Sequence, residues 1–295
     1  MRTIRRRLRY GGSWFAAASA LPIGGGLGRP DRLAHLVVVA ATRPWQATAL
    51  LVLLVRTPKV EVTLSDSAAG DALRKHFDAW FLGVFPQNRL CRGVLFLPRK
   101  QSEYVRGRRR QAVRTNVRRA EAAGIWCETV EGPSEAMRAV RRVVHSRQAA
   151  VTDEDLARLA HDWPLLFEQP DVTALVARDA EGIPLAVTAV LIDDEVSLIR
   201  LAVASSHEAR WSLHHHLVLN LIDRGVKYLL SEGEGPFGAL GFTPDVQYYQ
   251  RRLGYDLCHI IPRSARVLGV PARRRSAASL TAGSGAGHRP TQLIR

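Results

Sequence analysis

Between residues 59 and 97 the apolar positions change from a strand-like period to a helical one and back. Val60, Val62 and Leu64 alternate with polar residues, which predicts a strand with one buried face. The helix predicted next places four large apolar side chains on one face, namely Leu73, Phe77, Trp80 and Phe81. The run from Gly93 to Pro98 is continuously apolar, and we expect a short buried strand there.

Beyond residue 101 the pattern predicts the order helix, strand, helix, helix, three strands, helix, strand, helix, strand. The three consecutive strands are separated by tight turns, which is typical of an antiparallel meander; they cover Val172–Arg178, Ile183–Ile192 and Glu195–Val203. A helix capped by Ser205-Ser206 and ended by Gly225 then leads into a strand, which predicts a crossover connection. The fold class is therefore mixed α/β (α+β), a mixed central sheet flanked by helices.

Charge is distributed unevenly over the chain. The formal net charge is +15, from 42 Lys and Arg against 27 Asp and Glu. Basic residues concentrate at residues 1–32, 99–119 and 263–295, so the rest of the chain is mildly acidic. We expect residues 1–32 and 263–295 to be flexible basic tails, because they lack apolar periodicity. An arginine excess also arises from a GC-rich coding bias, so it does not by itself establish a polyanionic partner.

Cysteine and apolar segments bear on the cellular compartment. The three cysteines, Cys91, Cys127 and Cys258, are scattered and form no CxxC motif, which fits a reducing cytoplasm and disfavours a disulfide framework. Residues 2–23 have the outline of a signal peptide, but Pro22 and three glycines break the apolar stretch, so the question of a cleaved signal stays open. Arg43-Pro44 interrupts the apolar run 33–55, so we expect no stable membrane span.

Two sequence motifs resemble a known superfamily. The run from Arg106 to Ile125 (RGRRRQAVRTNVRRAEAAGI) is similar to the basic first helix of FemAB-type proteins, which ends in an R-x-A-x-x-A-G-V/I phrase. The run from Tyr248 to Tyr255 and the order of elements resemble the GNAT acyltransferase superfamily, of which the FemAB-type proteins are a branch. The resemblance covers about residues 99–262 and implies a GNAT-like domain there. Residues 33–98 then form an N-terminal lobe or a partial first GNAT-like half.

The resemblance leaves the acyl donor open. CoA-using members have a glycine-rich pyrophosphate loop before the helix that here follows Ser205-Ser206, and residues 205–214 contain no glycine. FemAB-type relatives commonly have a lysine where this chain has Gln250. The cosubstrate expected from the resemblance is therefore acyl-CoA or aminoacyl-tRNA.

Two segments are candidates for binding that cosubstrate. A helix N-terminus offers unpaired N–H groups and the positive end of the dipole, so Ser205, Ser206, His207 and Arg210 could hold a phosphate-bearing ligand; alternatively, Ser206 only caps the helix. A helix is also predicted over Ser102–Gly124. Its arginines recur every four residues and would repel one another unless they bind an anion or RNA, although a solvated face is the other interpretation; they are Arg106, Arg110, Arg114 and Arg118.

Amine acylation needs groups that accept and donate protons. Glu232 and Glu234 follow the end of a strand, among glycines, and are candidates for the base or for an amine-binding carboxylate; a flexible loop is the alternative. Tyr249 is a candidate general acid because Tyr248-Tyr249 resembles the superfamily tyrosine with that role, while core packing would explain either one. His214, His215 and His216 point in successive directions around a helix, so we expect no metal site.

These features together predict a cytoplasmic acyltransferase that moves an acyl group from acyl-CoA to a small-molecule or peptide amine. One alternative is an aminoacyl-tRNA-dependent transferase that forms peptide bonds and binds tRNA through the basic segments. The other is a non-catalytic protein of the same fold that binds nucleic acid or anionic surfaces. The sequence does not indicate the acceptor or the oligomeric state.

Overall fold

The structure is a computed structural model, and it describes residues 57–78, 80–81, 85–86, 91–147, 159–169, 171–231 and 244–264. The two predicted tails lie outside the described residues, except for Arg263 and Ser264, which belong to the last strand. Glu232 and Glu234 also lie outside them.

The described elements follow the predicted order. The strands are β1 Lys59–Leu64, β2 Trp80–Phe81, β3 Phe85–Pro86, β4 Cys91–Phe96, β5 Trp126–Val130, β6 Val172–Arg178, β7 Pro184–Asp193, β8 Val196–Ala204, β9 Tyr228–Leu230 and β10 Asp256–Ser264. The helices are α1 Ala68–Asp78, α2 Gln101–Tyr104, α3 Gln111–Ala122, α4 Pro133–Ser146, α5 Asp162–Phe167, α6 His207–Asp223 and α7 Pro244–Leu253, and a 3₁₀ turn covers Arg108–Arg110. The mixed α+β class is confirmed.

One mixed sheet of eight strands organises the protein, in the order β1-β10-β4-β9-β8-β7-β6-β5. The predicted meander is present, since β5, β6, β7 and β8 are successively antiparallel. Helix α6 returns the chain to β9, which pairs with β8 in parallel. Strands β1 and β4, from the predicted N-terminal lobe, belong to this same sheet through β10 and β9. The division of the chain at residue 98 stays a prediction.

Helices cover both faces of the sheet. On one face, α3 and α6 pack through a buried cluster that includes Val113, Trp211 and Leu217. On the other face, α4 and α5 pack against the meander, with Val140 and Trp163 in the cluster. Helix α1 covers the β1 side of the sheet through a third apolar cluster. Each β-strand of the meander therefore contributes side chains to two cores.

Two predicted helices differ from the structure. The helix predicted over Ser102–Gly124 is interrupted, because Gly107 has a φ of +86° and α3 begins only at Gln111. This break avoids a continuous stack of like-charged arginines four residues apart. The predicted end at Gly124 is confirmed, since its φ is +72° and the N–H of Ile125 donates to the Ala120 carbonyl. Helix α1 ends at Asp78, so Trp80 and Phe81 do not extend its apolar face but form β2, which pairs with β3.

Candidate functional site

Strands β8 and β9 separate after a short parallel contact. Within the described residues they pair only where Val196–Leu198 lies beside Tyr228–Leu230. Strand β9 ends there, whereas β8 continues to Ala204 and keeps its antiparallel partner β7 on the other side. A β-bulge near Ala189 and Val190 shifts the register of β7 and β8 in the same region. The separation opens the sheet at its centre.

A cavity of about 430 Å³ occupies this opening. Its wall includes Ala186, which belongs to the core on the α6 face of the sheet, and Val187 and Val203, which belong to the core on the α4 face. Helix α7 closes one side through Tyr249, Gln250 and Leu253. A cavity bordered by both faces of a sheet can admit one reactant from each face.

The start of α6 forms one rim of the cavity, which brings together residues that the sequence singled out: Ser205, Ser206, His207, Arg210 and Tyr249. Ser206 is the N-cap of α6, and its Oγ accepts a hydrogen bond from the Ala209 N–H at 3.2 Å. The first N–H groups of a helix lack partners within it, and the dipole is positive there. This rim therefore favours an anionic group.

Arg210 and Tyr249 hold the cavity wall together. The Arg210 guanidinium carbon lies 3.8 Å from the centre of the Tyr249 ring, a cation–π contact. The Tyr249 hydroxyl donates a hydrogen bond to the Arg210 carbonyl oxygen at 3.1 Å. Burial is the main reason that the pKa of Tyr249 is raised far above that of a free tyrosine. Tyr249 thus keeps its proton. To act as a general acid, its hydroxyl would have to give up its hydrogen bond to the Arg210 carbonyl and donate to the leaving group instead.

His207 is oriented by a neighbouring indole. The Trp211 Nε1–H donates to His207 Nε2 at 3.0 Å, and Trp211 itself is buried in the core. An Nε2 that accepts a hydrogen bond carries no proton, so the neutral ring holds its proton on Nδ1. The remaining ring nitrogen is then a hydrogen-bond donor for a ligand at the rim.

Besides Thr188, whose hydroxyl donates to the Leu201 carbonyl, four buried polar residues line the cavity, and they were not predicted as a group. Each is no more than 7% exposed: His214 from α6, Ser231 after β9, Gln250 from α7 and Tyr255 before β10. Burial, with a smaller contribution from Arg110 and Arg210, lowers the pKa of His214 to about 3, so the ring is neutral at physiological pH. The residues come from four separate elements, and no local spacing in the sequence links them.

The predicted arginine row does not line the cavity. Arg106 and Arg118 are exposed. Arg114 donates to the carbonyls of Val105 and Gly107, so it caps the end of α2. Arg110 is half-buried, and its guanidinium carbon lies 4.8 Å from the centre of the Tyr104 ring. The expected stack of four arginines is wrong, because the helix is interrupted at Gly107. Any anion or RNA contact by these side chains stays a prediction.

The described residues also bear on two other classes of site. They contain no group of three or more His, Cys, Asp or Glu side chains that could hold a metal ion. None of the helices in the described ranges is long and apolar enough to cross a membrane.

No protein-family model and no curated protein matches the sequence. Solved structures do match. A conserved protein of unknown function from Bacteroides thetaiotaomicron is 12% identical, with 56% of each chain covered and a TM-score of 0.45. L-PGS from Bacillus licheniformis is 16% identical, with 62% of this chain and 65% of that chain covered and a TM-score of 0.39. FemX is 11% identical, with 57% of this chain and 59% of that chain covered and a TM-score of 0.40.

The chain thus spans less than two thirds of the length of these structures.

Proposed function

We propose that the protein is an acyltransferase that moves an acyl group from an activated ester to an amine. The observation that carries this proposal is the cavity between β8 and β9, which borders both faces of the sheet and has the N-terminus of α6 at its rim. In this arrangement the anionic carrier lies at the α6 rim beside His207 and Arg210. The acyl group enters the cavity, and the amine approaches from the α4 face.

The reaction forms a bond between the amine nitrogen and the acyl carbon and breaks the bond between that carbon and the sulfur or oxygen of the carrier. The amine loses one proton, and the carrier gains one. We propose Glu232 or Glu234 as the base, because Glu232 is the next residue after Ser231, which lines the cavity. Tyr249, which retains its proton, is the proposed donor to the leaving group.

The acyl donor is acyl-CoA in the first version of this proposal. A second version, with aminoacyl-tRNA as donor, draws support from the basic surface around α3. There the exposed residues include Arg106, Arg108, Arg109, Arg118 and Arg119. Contacts between such side chains and RNA phosphates would be weakened by salt.

The two donors are separated by calorimetric titration of the full chain. Saturable one-to-one binding of a short acyl-CoA, either acetyl-CoA or 2-hydroxypropanoyl-CoA, supports the first version. Saturable, salt-sensitive binding of aminoacyl-tRNA, tighter than that of an unacylated double-stranded RNA of equal length, supports the second. Binding of any RNA with equal affinity, without binding of either acyl-CoA, would instead support a non-catalytic binder and contradict acyl transfer.

The proposed base is tested on turnover. With whichever donor binds, Glu232→Gln and Glu234→Gln together should lower the rate of amine acylation at least a hundredfold and leave donor affinity within threefold. Glu181→Gln, which changes an exposed glutamate of the β6–β7 turn, is the matched control. An unchanged rate in the double variant would remove both glutamates from the mechanism.

A further inference from the structure

Polar atoms without partners gather at one end of the cavity. His214 Nε2, Ser231 Oγ, Gln250 Oε1 and the Tyr255 hydroxyl are buried and make no hydrogen bond within the described part of the chain. All four residues line the same cavity. Such atoms are rare in folded proteins, because an unpaired buried polar group is costly. Their concentration around one cavity indicates a ligand that pairs with them.

The four residues are held close together by their surroundings. The ring centres of His214 and Tyr255 are 5.7 Å apart. A β-carbon added at Gly93 would lie 2.7 Å from Ser231 Oγ and 3.4 Å from Tyr255 Cδ1, so both side chains face the same glycine of β4. Gln250 is tied to Tyr255 by the backbone, because the Tyr255 N–H donates to the Gln250 carbonyl at 3.0 Å. They form one polar end of the cavity, which we name the polar subsite.

The chemistry of the polar subsite selects its ligand. Burial raises the pKa of Tyr255 well above the usual value, so its hydroxyl keeps its proton and donates a hydrogen bond. Gln250 Oε1 accepts, while the Ser231 hydroxyl can do either. A cation is disfavoured, because the charges of Arg110 and Arg210 act on the same region and help to keep His214 neutral. A neutral group that both donates and accepts hydrogen bonds fits best.

We propose that the polar subsite binds a neutral hydrogen-bonding substituent of the acyl group, such as a hydroxyl or an amide, so that the acyl donors are short polar acyl esters and not hydrocarbon ones. This inference rests on the proposed function, since it assigns the contents of the same cavity. It excludes plain acetyl and longer alkyl groups as the preferred substrates. A hydrocarbon group would leave all four polar atoms unpaired.

The test compares two esters that differ by one hydroxyl, 2-hydroxypropanoyl-CoA and propanoyl-CoA. The parent protein should bind the hydroxylated ester about tenfold more tightly. Ser231→Ala and Tyr255→Phe each remove one polar atom and should reduce that preference to twofold or less. Ser197→Ala and Tyr104→Phe are the matched controls, because their hydroxyls are also buried and without a described partner but do not line the cavity. The controls should retain the full preference.

A second arm separates this inference from the proposed function. The free amides lactamide and propanamide differ by the same hydroxyl as the two esters and carry no CoA. Ligand-observed NMR measures their binding directly. A lactamide preference that is lost in Tyr255→Phe and kept in Tyr104→Phe supports the polar subsite, even if neither CoA ester binds and the acyl-CoA version fails. Equal binding of the two amides, or no binding of either, overturns the polar subsite, even if CoA esters bind and transfer proceeds.

Discussion

The guanidinium of Arg110 lies directly against the α-carbon of Gly254. A β-carbon at residue 254 would stand 2.1 Å from Arg110 Nη1, far inside any real contact distance. Because the same guanidinium stacks on Tyr104, it joins the basic segment before α3 to the corner between α7 and β10. Tyr255 of the polar subsite follows directly after this corner, so Arg110 helps to position that end of the cavity.

Gly254→Ala should destabilise the protein for two separable reasons. The φ of +82° at this position is unfavourable for alanine by about 1–2 kcal/mol. In addition, Arg110 must leave its place on Tyr104. Gly225→Ala is the matched control, because Gly225 ends α6 with a φ of +77° and its added β-carbon would meet no atom within 4 Å. Chemical denaturation should show a larger loss for Gly254→Ala than for Gly225→Ala, and equal losses would contradict the role of Arg110.

Arg210→Gln should weaken binding of an anionic acyl donor about tenfold, because it removes a positive charge from the α6 rim. The loss should be greatest at low salt, since the contact lies at a partly exposed rim. Arg138→Gln removes one exposed charge from α4 and should leave the affinity within twofold. Titrations of both variants at two salt concentrations check this. Identical affinities for the two variants would place the carrier elsewhere.

Tyr249→Phe should lower the rate of transfer at least a hundredfold while donor affinity stays within threefold, if the hydroxyl protonates the leaving group. The variant keeps the aromatic ring at residue 249, so the cation–π contact with Arg210 is preserved. Tyr104→Phe, at a buried tyrosine outside the cavity, should keep the parent rate. A loss below threefold in Tyr249→Phe would assign its hydroxyl only to the hydrogen bond with the Arg210 carbonyl.

Acid should destabilise the protein through one half-buried histidine, His76, and one buried histidine, His214. The pKa values of His76 and His214 are each lowered to about 3, chiefly by burial. In the unfolded chain both rings take up a proton near pH 6.5, whereas in the folded chain they remain neutral until pH falls to about 3. Stability is therefore full above pH 6.5 and is lost as pH falls from 6.5 towards 3. As the pH falls from 7 to 5, protonation of each ring in the unfolded chain should lower the free energy of unfolding by about 2 kcal/mol.

Denaturant titrations at pH 7 and pH 5 check this effect. His76→Gln and His214→Gln should each show a smaller loss of stability between the two pH values than the parent. His145→Gln, at an exposed position of α4, should match the parent. A parent-like pH dependence in both buried-site variants would show that these rings are protonated in the folded state.

The parts of the fold predictable from the sequence depend on local signals. The meander follows from alternation and tight turns, and α6 follows from Ser206 at one end and Gly225 at the other. The same cap predicts a binding surface at the α6 rim, and the structure places that rim on the cavity. Such signals act within a few residues, which is why a single sequence reveals them.

The parts that could not be predicted depend on distant contacts. His214, Ser231 and Tyr255 meet only because β9 ends early and α7 folds over the gap, and nothing near any one of them in the sequence indicates the others. The continuous helix predicted under the arginine row is wrong, because Gly107 allows the break and tertiary contacts hold Arg110 and Arg114.

The central claim, that the cavity between β8 and β9 holds the acyl group of the donor, is tested most directly by filling the cavity. Ala202 lines it with an exposed side chain, so Ala202→Phe should block the space. Ala122→Phe, at the exposed end of α3, adds the same ring elsewhere. In calorimetric titrations with the acyl donor that the parent binds, we expect Ala202→Phe to lose at least tenfold in affinity and Ala122→Phe to match the parent. Parent-like affinity in Ala202→Phe, or no saturable binding of either acyl-CoA or aminoacyl-tRNA to the parent, would contradict the claim.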